Sequence, residues 1–314
     1  MNEVCTLVVS VDEAGTRLDR WLVDRVHELS RKRAKQLCET GYVTVDGRVG
    51  NKNLNLRAGA EVCFPMPAAR RAVANPSLAL DIRFQNEFCV VVCKPAGLAT
   101  APLDEHDDSA LANALLAQFP AMQGVGSGPL EPGIIHRLDN GTSGLVVAAK
   151  THPAFEELRL ALSRGQLHKE YLAVVADNDL PAQGTIQTHL RPSPHNTRRV
   201  VVAEPSAPGA RPAKTDYAVV ERSGQFAVVS VHASRALRHQ IRAHLTSLGC
   251  PLLNDTLYGG RTEATLAPGR HALHARRVQW LGNETMPPFD VVAPLPPDLL
   301  DMLRELGFRK SLSL

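Results

Sequence analysis

The stretch Ile134-Ile135-His136-Arg137-Leu138-Asp139-Asn140-Gly141-Thr142-Ser143-Gly144-Leu145 constrains the fold more than any other part of the chain. It sets a single carboxylate between an apolar entry and a Gly/Thr/Ser turn, which opens into the apolar run Leu145 to Ala149. Glycines and hydroxyl residues directly after an acid suit a tight turn, in which backbone N–H groups fix the carboxylate and leave one face of it open. Asp139 is therefore the candidate nucleophile. The plainer alternative is an Asx-turn acid between two strands, and the rest of the chain has to separate the two readings.

A chain of 314 residues exceeds the comfortable size of one domain, so two are expected. The cysteines (Cys5, Cys38, Cys63, Cys89, Cys93 and Cys250) are scattered without a Cys-x-x-Cys pair. They read as buried or free thiols in a reducing, cytoplasmic compartment. No apolar stretch reaches the roughly 18 residues that span a bilayer, and Met1-Asn2-Glu3-Val4 lacks the positive and apolar regions of a signal peptide. The net charge is only +3, yet residues 16–57 carry ten basic against five acidic side chains, leaving −2 for everything else. The basic partner surface is expected at the N-terminus.

In that segment Leu18, Trp21, Leu22, Arg25 and Val26 recur at helical spacing. Ser30 is placed to cap a second helix that turns Ala34, Leu37 and Cys38 inward and ends at Gly41. Tyr42-Val43-Thr44-Val45, Asp46-Gly47 and Arg48-Val49 spell a hairpin. Arg31, Lys32, Arg33 and Lys35 crowd the start of the second helix, where they can reach phosphates without competing for the core. The ordinary alternative for such a run is a solvated face. Residues 65–78 mix proline, alanine and arginine as a linker would, giving an N-terminal domain over 1–66 and a second domain over 79–314.

The second domain reads as a large mixed sheet with helices. Leu80, Ile82 and Phe84 alternate, Phe88 to Cys93 is a continuous apolar run, and Lys94-Pro95-Ala96-Gly97-Leu98 breaks it. Leu111 to Phe119 and the stretch with Phe155, Leu158 and Leu162 on one face are helical, and His168 to Val175 is a strand. Residues 191–214 look like a long, basic, proline-stiffened excursion from the sheet, either an arm whose Arg198 and Arg199 reach phosphates or a merely disordered loop. Lys214 to Val220 and Phe226 to His232 return to strand, His271 to Leu281 reads as the last strand, and Pro297 to Leu306 as a terminal helix. His239 and His244 are five apart, which misses the i, i+4 geometry of a helical zinc site, so no metal is expected.

Three motifs carry a resemblance to a known family. His136-Arg137-Leu138-Asp139-x-x-Thr142-Ser143-Gly144-Leu145, Lys169-Glu170-Tyr171-Leu172 and Arg238-His239-Gln240-Ile241-Arg242 occur in the order of the RluA-type pseudouridine synthases, with Lys94-Pro95-x-Gly97-Leu98 as the entry motif. Thr16-Arg17-Leu18-Asp19, Ser30-Arg31 and Gly41 to Gly47 resemble the S-four-type RNA-binding domain, with its core over residues 16–64. The resemblance implies an α+β fold: a large mixed, mainly antiparallel catalytic sheet with flanking helices, plus a small N-terminal αβ RNA-binding domain. It implies catalytic Asp139, Tyr171 and Arg242, with Lys94, His136, Arg137, Thr142, His239 and Gln240 as substrate contacts. It also implies isomerisation of uridine in RNA without metal or redox cofactor, by a cytoplasmic monomer with no membrane role. Large-subunit ribosomal RNA is the preferred target, with transfer RNA behind it. The family usually has Gly-Arg where this chain has Ala236-Leu237, so an Arg contact falls to Arg235 or Arg238 or is lost. A catalytically dead RNA-binding protein is disfavoured by the intact Asp139, Tyr171 and Arg242. An aspartyl phosphatase is disfavoured by Gly141 at its second acid position, and Asp-Asn-Gly-Thr is not the Asp-Thr-Gly of aspartic proteases.

Overall fold

The computed structural model describes residues 4–26, 29, 31–66, 71–233, 235–263 and 265–310. The chain divides into two compact units, Met1–Arg70 and Arg71–Leu314.

The first unit runs β1 (Val4–Val8), α1 (Leu18–Arg25), α2 (Arg31–Glu39), β2 (Thr44–Val45), β3 (Arg48–Val49) and β4 (Glu61–Pro65), with sheet order β1-β4-β2-β3. Leu18, Trp21 and Leu22 of α1 and Ala34 and Cys38 of α2 are buried in one core with Val43, Val62 and Phe64, as the helical spacing requires. Asp46 and Gly47 both take positive φ (50° and 74°), the pair of left-handed residues that a two-residue hairpin turn demands. The sequence reading of helix, helix and hairpin omitted β1 and β4, which supply half of this sheet. The proposed cap Ser30 and linker residues 67–70 lie outside the described residues. Residues 71–78 are not a free linker: Ala72 is buried with its N–H on Pro129 O (3.0 Å), and the Asn75 N–H reaches Asn113 O (3.0 Å).

The second unit comprises β5 (Ile82–Gln85), β6 (Cys89–Lys94), α3 (Leu111–Gln118), β7 (Ser143–Ala149), α4 (His152–Ser163), β8 (Leu167–Ala176), β9 (Gln183–Pro192) and β10 (Val200–Ala203). It continues with β11 (Arg211–Ser223), β12 (Phe226–His232), α5 (Gln240–Ser247), β13 (Leu273–Trp280), β14 (Phe289–Val292) and α6 (Pro297–Glu305). Among the described residues, ten strands form one sheet in the order β10-β9-β11-β12-β8-β13-β7-β6-β5, with β14 beside β13. Its pairings are antiparallel except β7 with β13. The sheet is thus mixed and mainly antiparallel.

β6 and β7 read as unbroken apolar runs because both faces of the sheet are covered there. Val90, Val92, Val146 and Ala148 pack with Leu111 and Leu115 of α3 in one cluster, while Val91, Leu145 and Val147 pack with Phe155 and Leu158 of α4 in another. Thr151 caps α4 by accepting the Ala154 N–H (3.3 Å), with proline in its first turn.

Two sequence readings are corrected here. Residues 191–214 are not one long excursion: the end of β9, edge strand β10 and the start of β11 are joined by the turns 193–199 and 204–210, with Pro192 at a strand end and Pro212 near a strand start, where a missing N–H is tolerated. His271 to Leu281 is not the last strand either, since the short β14 follows it.

Candidate active site

The Asp139 loop is tied on both sides. Thr100 Oγ1 donates to Leu138 O (2.9 Å) and accepts the Leu138 N–H (3.1 Å). The carbonyl of Asn140 accepts from the Gly97 N–H (2.7 Å) and from Lys94 Nζ (3.3 Å). Arg270 donates to Gly141 O (3.0 Å) and Ser143 Oγ (3.0 Å), while its Nε holds Asp298 of α6 (2.7 Å). Thr142 closes the turn through its N–H to Asp139 O (3.0 Å), and its hydroxyl is hydrogen-bonded to His271 Nε2 (2.7 Å). Gly141 has to be glycine, because a Cβ there would lie 2.0 Å from Gly269 O. The tight turn was legible in the sequence, but its supports were not: among the described residues the Asp139 carboxylate is held by Arg242, not by turn N–H groups.

Arg242 projects from α5 and makes three bonds. Its Nη1 donates to Asp139 Oδ2 (2.9 Å), and Nε and Nη2 form a fork on the two carboxylate oxygens of Asp255 (2.7 and 2.8 Å). The guanidinium is 7 % exposed and Asp255 2 %, whereas the Asp139 side chain keeps 23 % of its surface. The Asp255 pair therefore anchors the arginine and leaves one of its arms for an acid that stays reachable. Burial raises the Asp139 carboxyl, but His239 and Arg242 together lower it further, so it lies below the usual carboxylate range. His239 is itself pushed down to about 4, chiefly by burial, and is neutral at pH 7, so Arg242 supplies the lasting positive charge. Burial opposes the charge on Arg242, and the Asp255 and Asp139 carboxylates outweigh it.

Asp139, Tyr171, Arg242, Arg137, Thr142 and His239 line one cleft of about 330 Å³, joined by Leu237 and Leu273. Tyr171 reaches it from β8, between Val231 of β12 and Ala275 of β13, and is buried. Burial, and secondarily the Asp139 charge, raise its phenol, so it stays protonated. The Arg137 guanidinium at the rim pairs with Glu131 (2.8 Å) and is 64 % exposed.

Three residues expected to touch substrate are placed as supports instead. Lys94 is fully buried with Nζ on the carbonyls of Pro95 (2.9 Å), Leu98 (2.7 Å) and Asn140 (3.3 Å); burial first, then Arg270, brings it down to about 7. His136 is buried, accepts the Val147 N–H (3.3 Å) and is held neutral by burial. Gln240 touches the cleft but is 2 % exposed, with its amide spent on Leu237 N, Lys214 O and Thr215 Oγ1. Helix α5 is buried at every position from Gln240 to Leu245. Arg238 donates to the carbonyls of Thr197 and Arg198 (2.9 and 2.6 Å), fastening the β9–β10 turn. Arg198 is exposed, and the Arg199 guanidinium lies 5.0 Å from the centre of the Tyr258 ring. In the first unit Arg31, Lys32 and Lys35 are exposed on α2 and Arg33 is half-buried. Among the described residues no cluster of three His, Cys, Asp or Glu could hold a metal ion, and no helix is long and apolar enough to cross a membrane.

Sequence reasoning missed Thr100, Asp255, Tyr258, Arg270 and His271 as site residues. Asp255 and Tyr258 stand in the Asp-x-x-Tyr-Gly that follows α5, the one local signal available. Arg270 lies 129 positions from the glycine it holds.

A buried arginine aimed at one open acid, on a mixed sheet preceded by a small helix-and-hairpin unit, defines the class. A family model described as RNA pseudouridylate synthase matches residues 88–247, an S4 domain model matches residues 16–62, and the chain belongs to the RNA pseudouridylate synthase family. It is 33 % identical over 305 residues to the ribosomal large subunit pseudouridine synthase D of Xylella fastidiosa, covering 93 % of this chain and 89 % of that one. It is likewise 33 % identical over 284 residues to an uncharacterized RNA pseudouridine synthase of Synechocystis, covering 90 % and 86 % of the two chains. The fold is shared with human RNA pseudouridylate synthase domain containing 4, at a TM-score of 0.56 and 23 % identity over 72 % of this chain and 92 % of that one. The protein is an RNA pseudouridine synthase, an isomerase.

Proposed function

We propose that this enzyme isomerises uridines of large-subunit ribosomal RNA in the cytoplasm, as a monomer without metal or redox cofactor. The names of relatives such as the Xylella enzyme favour this target; transfer RNA is the second choice. In the reaction the bond from the anomeric carbon to N1 breaks, the uracil turns, and a bond to C5 forms. C5 loses a proton and N1 gains one. Asp139 serves as the nucleophile or base, and Arg242 keeps it ionised and oriented. Tyr171 receives the flipped base against its ring, which helps offset the few kcal/mol of unstacking. Arg137, Thr142 and His239, which line the cleft beside Asp139, contact the nucleoside. Residues 1–66 act as the S-four-type RNA-binding domain and 79–314 as the catalytic domain. Arg31, Lys32, Arg33 and Lys35, with Arg198 and Arg199, meet phosphates.

The observation that carries this reading is the 2.9 Å bond from Arg242 to Asp139, with the arginine anchored by Asp255 on its other side. Mapping carbodiimide-induced reverse-transcription stops on total RNA from a deletion strain tests the target. Loss of one stop in 23S-type RNA, restored by wild type and not by Asp139→Asn, is the expected result; unchanged stops there with a lost stop in transfer RNA would move the assignment.

A further inference from the structure

The Tyr258 hydroxyl has three partners and a single proton. Val200, the first residue of edge strand β10, donates its N–H to Tyr258 Oη (2.8 Å), and its carbonyl accepts from the same hydroxyl (3.1 Å). The tyrosine thus takes the place of a further strand at this edge. The third partner is His239 Nδ1 at 3.1 Å. A hydroxyl offers one hydrogen and two lone pairs. With the hydrogen on Val200 O and one lone pair filled by Val200 N–H, the remaining lone pair can only accept, so Nδ1 has to carry the ring hydrogen. Turning the hydroxyl toward Nδ1 instead would strip a buried carbonyl of its donor. A neutral His239 therefore presents Nε2 without a hydrogen, and that atom lies 3.7 Å from Asp139 Oδ2.

The same ring is held from other directions. The guanidiniums of Arg199 and Arg242 lie 5.0 and 4.9 Å from its centre, within cation–π range. His239 packs edge-on against it at 5.8 Å. His239 also caps α5 in the left-handed region (φ 55°), an uncommon conformation for a residue with a side chain.

We propose that Tyr258 is a positioning residue for the isomerisation, its hydroxyl fixing His239 in the tautomer whose bare Nε2 faces Asp139. An Nε2–H at that place would turn the positive end of its dipole toward the carboxylate oxygen 3.7 Å away and damp its nucleophilicity. The bare nitrogen leaves the acid to Arg242 alone. The inference rests on the reading of Asp139 as the reacting group, although the tautomer itself can be observed without any reaction.

The test is a long-range proton–nitrogen correlation spectrum of the full chain labelled with ¹⁵N-histidine, with His239 assigned by the signals lost in His239→Asn. Wild type should show a protonated Nδ1 and a bare Nε2. In Tyr258→Phe, which keeps the ring and loses the hydroxyl, the hydrogen should move to Nε2. The single-turnover rate at saturating enzyme should then fall about tenfold, with RNA affinity within about twofold of wild type. Wild type with hydrogen on Nε2 overturns the proposal without need of any variant, even if Tyr258→Phe does not fold. So does Tyr258→Phe that folds and keeps the wild-type rate, or that slows with its tautomer unchanged. Turnover retained by Asp139→Asn would instead sink the reading of the acid and leave the tautomer assignment standing.

Discussion

The Asp139 loop and the start of α2 both present charge, and they hold it by different means. At Asp139 the charge is one carboxylate, its backbone tied through Thr100, Lys94 and Arg270 and its partner Arg242 anchored by Asp255. At α2 it is a row of long side chains, Arg31, Lys32 and Lys35, exposed to solvent. The first arrangement fixes position and protonation at the cost of desolvation. The second fixes neither and is open to screening by salt. The first should fail on small chemical changes, the second gradually with ionic strength.

The largest effect is expected from Asp139→Asn, which keeps size and removes charge. Single-turnover conversion should drop by about a thousandfold or more, with RNA affinity within about threefold. A wild-type rate in the purified variant would take Asp139 out of the chemistry.

Next comes Arg242. Because the reaction needs the ionised acid and Arg242 holds Asp139 below its ordinary value, wild-type activity should stay flat on the acid side to well below pH 6. In Arg242→Leu the carboxyl rises, so that limb moves toward neutral pH and the rate falls by about a hundredfold. Arg242→Lys keeps the charge without the fork and should fall less. Single-turnover rates across pH on one RNA decide this, and three identical profiles would reduce Arg242 to a packing residue.

The strands and helices that a period can announce were readable from sequence: β6 and β7 from unbroken apolar runs, α1 from Leu18, Trp21 and Leu22, and the β2–β3 hairpin from Asp46-Gly47. Asp139 and Arg242 were readable as a pair only through their motifs, since nothing local aligns residues 103 apart. What stayed hidden has the same cause. β14 is four residues after Pro287-Pro288, too short for a period, and its identity comes from pairing with β13. Prolines at 192, 194, 205, 208 and 212 point residues 191–214 off the sheet, but Pro194, Pro205 and Pro208 fall in the turns between strands while Pro192 and Pro212 sit at strand ends, where they cost no ladder bond. Lys94 and His136 looked like substrate contacts because they stand in motifs, whereas their burial binds them to the chain itself.

A third effect concerns acid. Burial above all brings His239, His244, His271 and His274 to about 4 in the folded protein, against about 6.5 in the unfolded chain. Between those values the unfolded state binds protons that the folded state does not, so stability should fall as pH drops from about 6.5 toward 4, each histidine adding to the slope. Calorimetry from pH 7.5 to 4.5 should show the midpoint falling, less steeply in His274→Gln. A level midpoint over that interval would contradict the burial of these rings.

The α2 charges should respond more mildly. Replacing Arg31, Lys32 and Lys35 together by Gln should weaken RNA binding and cut the salt slope by about two to three, leaving the saturated rate unchanged. An unchanged slope would place the phosphate contacts elsewhere. The smallest effect is expected at the cleft rim, where Glu131→Gln breaks the exposed pair with Arg137 and should shift stability by less than about 1 kcal/mol in denaturant titration. A larger loss would mean that the rim, too, is held like the Asp139 loop.

The parallel pairing of β7 with β13 has a bearing on how the enzyme is made. His274 and Ala275 meet Ser143 and Gly144 across about 130 residues of chain, and Gly144, at φ 118°, lies so close that a Cβ would sit 2.2 Å from Ala275 O. During synthesis the Asp139 turn leaves the ribosome long before β13, the Arg270 clamp and the Asp298 of α6 that holds it. The nascent chain therefore carries its reactive acid on an unfinished loop until β13 and α6 have been made.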